Sequence, residues 1–182
     1  MSQLSGMLSL PGMAALTRIN KYPVANSGCG KRFSEVGRTV RRVICLGSPH
    51  GADALAWRLA DALEARLSAA AAGGAVEIVR CASPAQIGGL FAGADEVVIL
   101  DAVAQLPAGT LRELAPAEIE DQRAHSSHGL GLVTVLALAR ALGDLPEHVT
   151  ILGLGVGDPD ADPQPLVEQL LPELLRRLNV AD

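Results

Sequence analysis

A three-layer α/β/α sandwich around a mostly parallel, twisted sheet is the fold class the sequence predicts, and three observations carry that reading. From residue 42 onward, short β-branched runs alternate with longer Ala- and Leu-rich stretches. Two of the runs, Glu96–Leu100 and His148–Leu154, are almost wholly apolar, and aromatic residues make up only 2% of the chain. Alternation provides the long return path that parallel neighbours require. Near-continuous apolar strands belong to a sheet covered on both faces. A core poor in rings is filled by Ala, Leu, Val and Ile, as where helices pack on a parallel sheet.

The elements follow in order. Arg42 to Leu46 (RVICL) reads as a first strand, and Asp53 to about Ala72 as a helix closed by Gly73-Gly74. Ala75 to Cys81 (AVEIVRC) is a second strand, followed by a short helix from Pro84 to Phe91. Glu96 to Leu100 (EVVIL) is a central strand, and Thr110 to Leu114 an edge strand. Leu130 to Leu142 is a helix ended by Gly143 and Pro146, and His148 to Leu154 a buried strand. The prolines of Asp158 to Pro165 (DPDADPQP) predict an extended linker. Pro165 to Leu178 is a closing helix, amphipathic through Leu166, Leu170, Leu174 and Leu178.

A chain of 182 residues falls within the range of one domain, and 49% hydrophobic content is ample for its core. Residues 1–40 mix Ser, Gly and basic side chains without periodicity and read as an irregular extension, leaving 41–182 as the α/β domain. The extension faintly resembles an organelle transit peptide and also fits translated sequence upstream of a true start, but it reads first as a dispensable or disordered tail. Arg41-Arg42 is no twin-arginine signal, because the apolar run after it is too short. Residues 1–42 carry seven basic side chains and Glu35, hence +6, whereas the remainder holds 8 basic and 19 acidic residues, hence −11. An acidic body with few aromatics does not suit nucleic acid, whose phosphates demand Lys and Arg. No apolar run approaches the roughly 20 residues that span a bilayer. Cys29, Cys45 and Cys81 are odd in number and form no C-x-x-C pair, so a reducing cytoplasm is expected.

Ligands of open α/β sheets gather at the carboxyl ends of the strands. Three loops are therefore the candidates: Gly47 to Asp53, the segment beginning at Asp101 after EVVIL, and Ser126-Ser127-His128-Gly129. Asp53 alone reads as a helix cap. Asp101, ending an apolar strand, must be at the rim or paired, given the cost of burying an isolated charge. His128 precedes a helix N-terminus, where the dipole disfavours imidazolium and leaves the neutral ring that coordination needs. His50 ranks second among the histidines, with His125 and His148 behind it. Two carboxylates and an imidazole suit a borderline divalent metal, and two acids also serve acid/base work without one. The run Gly153-Leu154-Gly155-Val156-Gly157 has the wrong glycine spacing for a dinucleotide loop, and neither a G-x-S-x-G elbow nor an H-E-x-x-H helix occurs.

The order of these loops resembles that of the hydrogenase maturation endopeptidases over roughly residues 42–178. The most specific stretches are EVVILDAV (Glu96 to Val103), PAGTLREL (Pro107 to Leu114) and SSHGLGLVTVLALARALGDLPEHVTILG (Ser126 to Gly153). The resemblance implies a flavodoxin-like or phosphorylase-like sheet and removal of the C-terminal tail of the nickel-iron hydrogenase large-subunit precursor. It implies that Asp53, Asp101 and His128 are the catalytic and metal-binding residues. The nickel would arrive inside the precursor, so no permanent cofactor is expected. The partner would be that precursor, with no nucleic acid and no membrane. That family usually reads Asp-Asp-x-x-Gly where this chain has Ala52-Asp53-Ala54-Leu55-Ala56, lacks the asparagine usual in the glycine loop, and has Gly155 where glutamine is common. Ala52 and Ala56 motivate a second expectation, a non-catalytic module that binds the large subunit or a small ligand. A flavodoxin-like nucleotide binder is a third.

Overall fold

The computed structural model describes residues 39–70, 75–115, 118–119, 131–158 and 160–180. Among them, strand β1 (Val40–Leu46) leads through a single 3-10 turn (Gly51–Ala54) into helix α1 (Leu55–Ala70). Strand β2 (Ala75–Cys81) follows, then two 3-10 turns (Pro84–Gln86 and Gly88–Leu90) where one short helix was expected. Strands β3 (Glu96–Val103) and β4 (Leu111–Glu113), helix α2 (Leu132–Leu142), strand β5 (His148–Gly155) and helix α3 (Gln164–Arg177) complete the order.

The five strands form one sheet in the order β2-β1-β3-β5-β4. The first four are mutually parallel, and β4 runs antiparallel to β5 at the edge. Alternation along the strands divides the core into two layers. Val43, Cys45, Val98, Leu100, Leu152 and Leu154 face the cluster that α1 and α3 cover. Ile44, Leu46, Val97, Ile99, Val103 and Ile151 face the cluster that α2 and the 3-10 turns cover. This is the α/β/α sandwich expected from the sequence.

Two expectations need correction. The central strand does not stop at Leu100: β3 runs on to Val103, so Asp101 lies within the ladder and not in a following loop. Its extension is paid for in pairing, because β5 itself continues to Gly155 and matches β3 residue for residue. The linker from Asp158 is not held extended either. Ala161 N–H donates to the Asp158 carbonyl at 3.3 Å, Asp160 N–H to Asp158 Oδ1 at 3.0 Å and Gln164 N–H to Asp162 Oδ1 at 3.1 Å. Aspartates that bond amides two residues on turn the backbone locally, and here that outweighs the proline preference.

The topology defines where a site can form. From β1 the chain crosses to β2 on one side, then passes to β3 on the other. The strand order therefore reverses between β1 and β3, and the carboxyl rim at such a switch point is where ligands of open α/β sheets gather.

Candidate active site

Asp53 and Asp101 both stand at that rim, one in the turn after β1 and the other on β3. Asp101 sits on β3 opposite Leu46 of β1 and Gly153 of β5. It is half-buried and engaged in a polar interaction. Strand alternation sets it on the same face as Ile99 and Val103, the face that α2 covers. Asp53 lies in the 3-10 turn between β1 and α1, exposed to solvent. The N-cap of that turn is His50, whose side chain makes no capping bond, and Asp53 lies inside the turn instead of capping it.

The loop between them is closed tightly. Gly47 N–H donates to the Cys81 carbonyl at 3.0 Å, and Ser48 N–H to the Asp53 carbonyl at 3.3 Å. Gly47 is required by space: a Cβ there would lie under 3.0 Å from the Asp53 carbonyl oxygen. On the far side of Asp101, Gly155 N–H donates to the Thr110 carbonyl at 2.8 Å, and Gly109 N–H to the Gly155 carbonyl at 3.0 Å. A Cβ on Gly155 would strike the Pro107 carbonyl, also under 3.0 Å. The glycine run that fails as a nucleotide loop thus serves to let the 104–110 turn pack against the end of β5.

His128 lies outside the described residues, as do His125, Ser126 and Ser127. The chain re-emerges at Gly131, the N-cap of α2. Because α2 leads directly into β5, its N-terminus is at the carboxyl rim and its C-terminus at the opposite edge. The other histidines separate by the same logic. His50 belongs to the rim loop, its N–H donating to Ser48 Oγ at 3.4 Å. His148 begins β5 opposite Glu96 at the amino edge, which removes it from this site. Among the described residues, no three His, Cys, Asp or Glu side chains form a group able to hold a metal ion.

The two alanines that depart from the family pattern have a structural explanation. Ala52 is 9% exposed and Ala56 is fully buried, both within the cluster under α1. Neither methyl group points to the rim, so the substitutions alter the packing beneath Asp53 and leave the rim acid in place. Sequence reading missed Gly47 as a shaping residue, since nothing in the chain itself signals a carbonyl arriving from six residues later.

Two other features lie away from the rim. Cys45 and Cys81 are free and buried, and burial pushes their thiols up to about 12 and about 11. Both are therefore protonated at neutral pH and poor nucleophiles. A cavity of about 670 Å³ lies between α2 and the β4–β5 edge, lined by Leu114, Leu136, Val149 and Ile151 among others. Ile151 precedes Gly153 by two residues, so this cavity sits below the rim.

Residues 58–175 match the hydrogenase maturation protease family, HycI, which is well over half of the chain. The chain belongs to that family. It is accordingly a protease of hydrogenase maturation. The matched range includes Asp101 and the His128 segment and begins five residues after Asp53. Solved structures agree on the fold. The hydrogenase maturating endopeptidase HybD from E. coli is 23% identical, with 78% of this chain and 93% of that one covered at a TM-score of 0.58. A [NiFe] hydrogenase maturation protease HycI from Thermococcus kodakarensis KOD1 is 21% identical, covering 80% and 94% at a TM-score of 0.56. The solution structure of an endopeptidase from Escherichia coli is 24% identical, covering 76% and 92% at 0.54. Among curated protein sequences no significant match is found.

Proposed function

We propose that this protease removes the C-terminal tail of a nickel-iron hydrogenase large-subunit precursor once nickel has been installed, with Asp53, Asp101 and His128 engaging the metal. The observation that supports this most directly is that Asp53 and Asp101 stand at the carboxyl ends of neighbouring strands, beside the switch point between β1 and β3. Oxygen and imidazole donors suit a borderline ion such as nickel.

Nickel here is cargo of the substrate, and the enzyme itself holds no permanent metal in this reading. That arrangement makes the metal a checkpoint. A precursor without nickel offers the two carboxylates and the imidazole nothing to share, so its tail is not presented for cleavage. The chain's own residues orient the precursor through the metal, and a metal so held polarises a carbonyl or a water. Buried, unoxidised Cys45 and Cys81 fit a cytoplasmic setting. No helix among the described residues is long and apolar enough to cross a membrane.

The test is co-expression of the precursor with wild-type enzyme or with Asp53→Ala, Asp101→Ala or His128→Ala, followed by mass analysis of the precursor. Each variant is expected to leave the tail attached, and nickel starvation is expected to do the same with wild-type enzyme. Undiminished tail removal by the variants refutes the assignment. The alternative of a binding module without catalysis loses its motive once Ala52 and Ala56 are seen to be core residues. It would give complex formation with no change in precursor mass.

A further inference from the structure

We infer that Gly47 is a positioning residue for the Asp53 carboxylate, a role that rests on the function proposed above. The requirement at this position is spatial, not conformational. A Cβ on Gly47 would lie under 3.0 Å from the Asp53 carbonyl oxygen and 3.6 Å from Asp53 Oδ1. The first of those neighbours is backbone, which cannot swing aside as a flexible side chain can.

Each way of relieving that collision is restricted except one. Gly47 cannot retreat, because its N–H is bonded to the Cys81 carbonyl and Leu46 beside it is in register with both Cys81 and Asp101. The 3-10 turn cannot simply lift away, because Ala52 and Ala54 on either side of Asp53 are buried. What remains is to displace the Asp53 peptide along the rim, breaking its bond from Ser48 N–H. Such a shift moves the Asp53 carboxylate relative to Asp101, whose place is fixed by pairing on both sides. Bare backbone at position 47 therefore sets the separation of the two acids. A displacement of about 1 Å in a reacting geometry costs on the order of 100-fold in rate.

The experiment compares full-length wild type with Gly47→Ala, Gly89→Ala, Asp53→Ala and Asp53→Glu, using nickel-loaded precursor. Gly89 is the control, since a Cβ there meets nothing within 4 Å. Rates are expressed per folded enzyme by circular dichroism, and the nickel absorption of the precursor is recorded as enzyme is added. Gly47→Ala is expected to lower kcat roughly 100-fold and to lose the wild-type change in nickel absorption, while still capturing precursor in a pull-down. Gly89→Ala is expected to behave as wild type. A folded Gly47→Ala enzyme with kcat within about threefold of wild type, or with the normal nickel spectrum, overturns the inference. If Gly47→Ala does not fold, Asp53→Glu decides: it moves the carboxylate by one methylene on an unaltered backbone, and wild-type kcat there overturns the idea equally. Asp53→Ala separates the two levels. An active Asp53→Ala enzyme removes the proposed site itself, whereas an inactive one beside a normal Gly47→Ala removes only the positioning role.

Discussion

The two edges of the sheet treat their charges in opposite ways. At the amino edge, acids and bases are matched across strands. Arg41 Nε donates to Glu96 at 2.6 Å and Arg42 Nε to Glu77 at 2.8 Å, while Asp95 accepts from Val40 N–H at 2.7 Å. Nη1 of Arg41 donates to the Leu178 carbonyl, Nη1 of Arg42 to those of Leu90 and Ala92, and Nη2 of Arg42 again to Glu77. At the carboxyl edge, Asp53 is exposed and no salt bridge to it occurs among the described residues. The amino edge uses charge to lock elements together. The carboxyl edge is shaped by backbone bonds and glycines, with the Asp53 carboxylate exposed to solvent.

That contrast is sharpened by exchanging the consequences of mutation. The largest effect is expected from Asp53→Ala, which should reduce tail removal at least 100-fold while changing unfolding free energy by less than about 0.5 kcal/mol, as exposed sites do. A comparable loss of stability would make Asp53 a structural residue like those of the other edge.

Arg42→Ala should do the reverse. Its side chain is only 13% exposed and ties β1 to Glu77 and to the turn before β3. Removing it leaves the Leu90 carbonyl without its donor, so a loss of about 1–3 kcal/mol in urea unfolding is expected, with kcat per folded molecule unchanged. A variant as stable as wild type would show that the amino edge is not the lock described here.

A smaller effect concerns the thiols between the edges. From residue 39 onward the chain contains no Lys and no Tyr. In the described domain, Cys45 and Cys81 are thus the side chains that titrate in the alkaline range. Their folded values lie above the ordinary 9.0, at about 12 and about 11. Between those values the folded state keeps protons that the unfolded state has lost, so stability declines as pH rises above about 9. The urea midpoint should fall from pH 8 to pH 10.5, and less so in Cys81→Ala; a flat profile would contradict the burial of these groups.

The smallest effect is expected at Arg177, whose pair with Glu173 at 3.0 Å is an exposed i,i+4 contact on α3. Arg177→Ala should change stability by less than about 0.5 kcal/mol in the same urea assay.

The sequence by itself determined the element order, the parallel sheet and the two-sided core, because those follow from local periodicity and from which runs are apolar. EVVIL announces a buried strand wherever it folds, and β2 falls on Ala75–Cys81 as its pattern reads. Asp101 stood out as the first polar residue after the apolar run, although the strand itself continues through it. Tertiary structure alone decided three things. It carried β3 past Leu100, since a strand's end depends on the partner beside it and β5 continues to Gly155. It turned Ala52 and Ala56 from apparent losses at a site into core packing, since burial is a property of the surrounding layers. And it gave Gly47 its reason, because the Asp53 carbonyl that excludes a side chain there is brought close by the closing of the loop between β1 and α1, where Ser48 N–H donates to it.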